Sequence, residues 1–154
     1  VVRGEGQIDF RPAPLWLMSF KPRFQFSPDA LFSYEQISGG NYTAGRGYDP
    51  GATIGDSGYG GQFELAYGSL VPETPGQSTF QPYAFFDFMA VSSKNIPGDR
   101  QTLTSIGGGL RSTLGEATFL DIVGAIPLEK APFQTERGDF RLLATLSVQF
   151  GPKR

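Results

Sequence analysis

The chain contains no cysteine and no histidine. The first absence removes disulfides and thiolate metal sites. The second removes imidazole bases, catalytic triads and histidine-held metals, and most common enzyme mechanisms go with them. Basic charge is scarce too: 13 Lys and Arg stand against 15 Asp and Glu, for a net charge of −2. That gives no footprint for nucleic acid. There is no run of about 20 apolar residues to make a transmembrane helix, and helical periodicity is almost missing. Nothing indicates a cofactor.

What is abundant points to strands. The 154 residues include 21 Gly, 12 Pro and 14 Phe, a composition that suits many strands joined by turns. Alternation with a period of two predicts strands at 1–10, 15–26, 59–68, 80–91, 102–114, 117–128 and 140–150. In 15–26, Trp16, Met18, Phe20, Phe24 and Phe26 share one face, and Ser19, Lys21, Arg23 and Gln25 the other. Pro22 falls on the apolar face, lacks an N–H, and predicts a bulge or break. In 80–91, Phe80, Pro82, Ala84, Phe86 and Phe88 oppose Gln81, Tyr83, Phe85, Asp87 and Met89. Turns are predicted at Arg11–Pro14 and Gly115–Glu116, with a charged loop over 129–139. Gly107 to Gly109 either makes room for a packed loop or bends its strand.

Strands of about 9–12 residues cross a bilayer when tilted. The connections after the second, fourth and sixth strands are longer or more charged than those after the first, third and fifth, which is the layout of an outer-membrane barrel. Trp16, Phe26, Tyr59, Tyr67, Phe80 and Phe150 suit interfacial girdles. Lys21, Arg23, Glu64, Arg111, Asp121 and Arg141 suit a hydrated lumen. A soluble β-sandwich alternates in the same way, and it stays open at this point beside a small-solute porin.

The connection 27–58 is far longer than the usual 4–6 residues. Its centre is glycine-rich, and Arg46 lies between Gly45 and Gly47. A cation in a packed loop needs a partner.

Residues 31–48, LFSYEQISGGNYTAGRGY, resemble the long sixth extracellular loop of the two-partner-secretion transporters of the hemolysin-secretion type, relatives of the BamA-like barrel superfamily. Arg46-Gly47-Tyr48 matches the arginine–glycine–aromatic signature of the loop tip. Phe85-Phe86-Asp87-Phe88-Met89 is similar to an aromatic–x–Asp–x–Gly motif on an inward-facing strand, with Met89 in place of the glycine. Ala125-Ile126-Pro127-Leu128 resembles the Ala–aromatic–Pro–Leu end of the next-to-last strand, with Ile126 departing from the aromatic. The last strand resembles a barrel-assembly signal ending on Phe150, and 151–154 run past it.

The resemblance implies an all-β fold, a transmembrane antiparallel β-barrel of the Gram-negative outer membrane. Residues 1–154 would be its C-terminal part, about seven strands of a sixteen-stranded barrel, with POTRA domains outside this sequence. It implies that the loop folds inward, its glycines Gly39, Gly40 and Gly45 allowing close packing, and that Arg46 pairs with Asp87 beside Phe85. The implied partners are a secreted exoprotein, outer-membrane lipid and the barrel-assembly machinery, with no nucleic acid, no cofactor and no catalysed reaction. Within the superfamily, a barrel that inserts other outer-membrane proteins, or one that exports a fused enzymatic domain, is the alternative.

Overall fold

A computed structural model describes residues 1–41, 43–96, 98–115, 117–132 and 137–150. Its strands are β1 (Val2–Glu5), β2 (Ile8–Ala13), β3 (Trp16–Phe26), β4 (Ile37–Gly39), β5 (Thr53–Gly55), β6 (Ser57–Tyr67), β7 (Thr79–Ser92), β8 (Arg100–Leu114), β9 (Thr118–Pro127) and β10 (Arg141–Val148). Eight of them form one antiparallel sheet that meanders in chain order, with β1 and β2 both on the edge of β3 and β10 on the far edge. β4 and β5 form a separate two-stranded ribbon inside the long connection between β3 and β6. Among the described residues the sheet is open, because β1, β2 and β10 each have a neighbour on one side alone.

Several expectations need correction. The predicted strand 1–10 is two strands in one register, Glu5 opposite Arg23 and Ile8 opposite Phe20, interrupted at Gly6 and Gln7. β3 itself runs through Pro22, which pairs with Gly61. The missing Pro22 N–H therefore breaks the neighbouring strand, where Gly6 N–H still donates to the Pro22 carbonyl at 3.0 Å. The turn predicted at Arg11–Pro14 narrows to Pro14 and Leu15, and Pro12 stays in β2, an edge strand with no ladder partner to miss its N–H. The long connection ends at Asp56 and contains its own ribbon, whose close backbone contacts need glycine. The last strand stops at Val148, so Phe150 lies beyond it and is 90% exposed. Connection 68–78 is longer than 93–99, so only charge, not length, separates that pair. The predicted turn at Glu116, the loop residues 133–136 and the tail 151–154 lie outside the described residues.

The polarity of the sheet is the reverse of a water-soluble layer. One continuous row across the strands reads Ile8, Phe20, Phe63, Phe86, Ile106 and Ile126. Phe63, Phe86, Ile106 and Ile126 are exposed at 38–44%. The opposite face buries Ser19, Gln25, Gln81, Asp87 and Ser105. An apolar outside and a polar inside is what hydrocarbon selects. Aromatics sit toward both ends of that outer face. Trp16 packs edge-on against Tyr67 at 5.0 Å near the tight-turn end, and Phe26 and Tyr59 lie near the long-loop end.

The connection 27–56 folds over the polar face and completes a core there. Its Ile37, Ala44 and Tyr48 are buried against Met89, Val91 and Leu103 of the wall. Each fully buried large side chain of this kind contributes about 1.5–3 kcal/mol, so apolar contact is one of the forces that hold the loop down.

Phe86, mid-strand on the apolar face, gives a direct test of that polarity. In a bilayer, Phe86→Arg is expected to lower folding stability by about 2–4 kcal/mol. Lys21→Gln on the polar face should change it by less than about 0.5 kcal/mol. Denaturant titration of the full-length chain refolded into lipid vesicles measures both.

Candidate functional site

The tip of the loop is a compact double turn. Gly40 N–H donates to the Ala44 carbonyl at 2.8 Å, Asn41 N–H to Tyr48 at 2.9 Å and Tyr48 N–H to Gly45 at 3.0 Å. Gly45 takes φ of 107°, in the region that favours glycine. Gly47 has no room for a side chain: a Cβ there would lie 2.8 Å from the Pro127 nitrogen and 2.9 Å from Ser105 Cβ. Flanked in this way, Arg46 is pressed into the wall and is 6% exposed.

Its partner is Asp87 on β7, which is fully buried. Arg46 Nε donates to Asp87 Oδ2 at 2.9 Å and Nη2 to Oδ1 at 2.8 Å, a bidentate pair, and the Arg46 backbone N–H adds a third bond to Oδ2 at 2.9 Å. Beneath the guanidinium lies the Phe85 ring, 3.5 Å from Cζ to the centroid. Asp87 and Phe85 point inward because both fall on the polar phase of β7.

Arg46 does not stop at Asp87. Its Nη1 donates to Glu64 on β6 at 3.2 Å. Arg111 on β8 also grips Glu64, with Nη2 at 2.9 Å from Oε2 and Nη1 in contact with Oε1. Arg111 in turn faces Asp121 on β9 at 3.5 Å and stacks over Tyr83 at 3.9 Å, while the Tyr83 hydroxyl donates to Asp121 at 2.8 Å. Charges of alternating sign thus run Asp87, Arg46, Glu64, Arg111, Asp121 across four strands and the loop. Sequence reasoning placed Glu64, Arg111 and Asp121 in the lumen but not in contact. The register was the missing signal, since Arg111 lies directly opposite Asp121 and Glu64 opposite Phe85.

The rings under the two guanidiniums need space, and Gly107 and Gly109 supply it. Phe85 pairs across the ladder with Gly107 and Tyr83 with Gly109, where an added Cβ would lie 2.6 Å from each ring. These glycines make room for the aromatic platforms rather than for the loop itself. Met89, standing where the family motif has glycine, is buried under Gly39 and Gly60, whose added Cβ atoms would lie 2.8 Å and 2.5 Å from it. The space has moved from the wall residue to its neighbours.

Other expected residues lie elsewhere. Tyr48 pins the loop to the rim: its hydroxyl is 2.8 Å from the Thr104 carbonyl and accepts the Glu129 N–H at 3.0 Å. Arg141 meets Asp49 at 2.7 Å in an exposed pair, a geometry worth little. Lys21 is exposed and Arg23 half-buried at the β3 edge, and neither makes an ion pair among the described residues. Phe150 takes no part in the site.

A family model described as haemolysin secretion/activation protein ShlB/FhaC/HecB matches residues 12–112, well over half of the chain. The chain belongs to this family. Its members are two-partner-secretion transporters of the Gram-negative outer membrane, which pass a secreted exoprotein. No curated protein matches the chain. The matched span contains the loop, Glu64, Phe85, Asp87 and Arg111; Asp121 lies beyond it.

The sequence carried no warning of Asp56, at the foot of the haemolysin-secretion-type loop. Its buried carboxylate accepts Leu31 N–H at 2.8 Å and Gln36 Nε2 at 2.9 Å on Oδ1, and Lys94 N–H at 2.6 Å on Oδ2. The beginning and end of the loop and the β7–β8 connection are thereby tied together. Burial pushes this carboxyl up, but the three donors outweigh it and hold the value below the ordinary 3.8. A depressed carboxyl stabilises the fold above its unfolded value, and that contribution fades as pH falls through the folded one. Hydrogen exchange in 27–56 is therefore expected to quicken only below about pH 4, after correction for intrinsic rates. Asp56→Asn, with one acceptor fewer, should quicken it roughly tenfold or more already at pH 7.

Proposed function

We propose that residues 1–154 form the C-terminal part of an exporter barrel in which the 27–56 loop is the plug or lock. The exoprotein passes outward unfolded through the lumen without ATP. Arg46, bound to Asp87 and Glu64, holds the loop in the closed position. The apolar outer row meets lipid, and Phe150 ends the signal that the barrel-assembly machinery reads. The observation that carries this reading is the bidentate Arg46–Asp87 pair on a fully buried carboxylate.

A pair of this kind favours one position of the loop more than it stabilises the fold as a whole. Desolvating both charges offsets much of their attraction, whereas removing one partner costs about 3–5 kcal/mol because the other stays buried and unpaired. Withdrawal of Arg46 is accordingly an all-or-none event that needs a competing partner or a rearranged lumen.

Arg46→Ala and Asp87→Ala are each expected to lower exoprotein secretion severalfold at equal barrel amount in the outer membrane. Arg46→Lys should fare little better, since an ammonium cannot make the planar bidentate contact on Phe85. The exchange Arg46→Asp with Asp87→Arg is expected to restore secretion in part, because the Arg46 backbone bond and the Phe85 platform are lost with it. Wild-type secretion from either alanine variant would overturn the lock.

A further inference from the structure

The cradle that holds Arg46 belongs to the strands, not to the loop. Phe85 and Asp87 are on β7 and Glu64 on β6. Glu64 keeps its position without Arg46, because Arg111 holds both of its oxygens and is itself braced by Tyr83 and Asp121. When Arg46 leaves, three carboxylates face one cation. A fully buried Asp87 is costly to leave in that condition.

What the cradle selects can be read from its geometry. Two oxygens of Asp87 receive Nε and Nη2 in one plane, Glu64 receives Nη1, and the Phe85 face lies under the carbon. A planar fork that bonds edgewise and stacks flatwise is met by guanidinium and not by ammonium. One further group stands ready. Ser105 lies directly opposite Asp87 in the β7–β8 ladder, is fully buried, and its Oγ has no hydrogen-bond partner among the described residues. The loop supplies Asp87 with a backbone N–H as well as a side chain. Where an arriving arginine presents its side chain alone to Asp87, the Ser105 hydroxyl is the neighbouring donor able to take the place of that N–H.

We propose that Asp87, Glu64, Phe85 and Ser105 form a guanidinium-binding site in the lumen wall, with Arg46 as its resident occupant and arginine side chains of the polypeptide in transit as its exchange partners. This rests on the lock reading, since the site opens to the lumen only when Arg46 withdraws. An arginine of the passing chain then neutralises Asp87 while the loop is displaced. Return of Arg46 expels it.

The test uses the full-length Arg46→Ala protein in detergent and in planar bilayers, with guanidinium ion, N-acetylarginine amide and N-acetyllysine amide as probes. Guanidinium and the arginine amide at millimolar concentration are expected to raise the melting temperature saturably. The lysine amide should bind about tenfold more weakly or worse. The Arg46→Ala/Asp87→Asn protein should not respond. Should Arg46→Ala not fold, Arg46→Gln, which keeps the side-chain stem, carries the same titration. No saturable, Asp87-dependent stabilisation, or equal binding of the lysine amide, overturns the proposal. Bilayer conductance separates the two readings. Saturable binding that leaves conductance unchanged keeps the guanidinium site and removes the lock; raised conductance in Arg46→Ala without binding keeps the lock and removes the site.

Discussion

A carboxylate that no water reaches sits on the inner face of this sheet, and most of the local architecture can be understood as provision for it. Asp87 is 0% exposed. An ionised group so placed is tolerated only if its charge is matched and its lone pairs are filled. The strand cannot supply the cation, because its neighbours on that face are Phe85 and Met89. The loop therefore brings Arg46, and its glycines press the arginine and its backbone N–H onto the same carboxylate.

The wall is layered to receive it. Gly107 and Gly109 lie lowest, the Phe85 and Tyr83 rings cover them, and the Arg46 and Arg111 guanidiniums cover the rings. Each layer depends on the one below, since a side chain at either glycine would displace its ring. Glu64 bridges the two arginines and makes one network of the loop and four strands. Apolar burial of Ile37, Ala44 and Tyr48 holds the loop against the wall, while the ion pairs specify where its tip rests. The foot is tied separately by Asp56. Tip and foot are thus held by separate contacts, the tip by ion pairs and the foot by hydrogen bonds to one carboxylate.

Much of this was legible beforehand, and the reason is geometric. A strand has a strict period of two, so the inward phase of Asp87 and Phe85 followed from their neighbours Phe86 and Phe88 without any knowledge of the partner strands. What was not legible depended on register. Arg111 opposite Asp121 and Glu64 opposite Phe85 are facts about how far one strand slides past another, and no residue in a single strand encodes that. The break caused by Pro22 was expected in its own strand but falls on the neighbour, because a missing donor is felt by the carbonyl it would have served. Asp56 was missed for a different reason: backbone N–H groups of Leu31 and Lys94 satisfy it, and main-chain donors leave no trace in residue identity.

The central claim is that Arg46 and Asp87 act as one unit inside the lumen of this haemolysin-secretion-type barrel. A double-mutant cycle on the unfolding free energy of the full-length protein in lipid vesicles tests it most directly, using Arg46→Ala, Asp87→Ala and the pair together. A coupling energy of about 2 kcal/mol or more is expected, with the double variant less destabilised than the two single changes combined. Additivity within about 0.5 kcal/mol would mean that the two residues do not meet in the membrane, and would contradict the account.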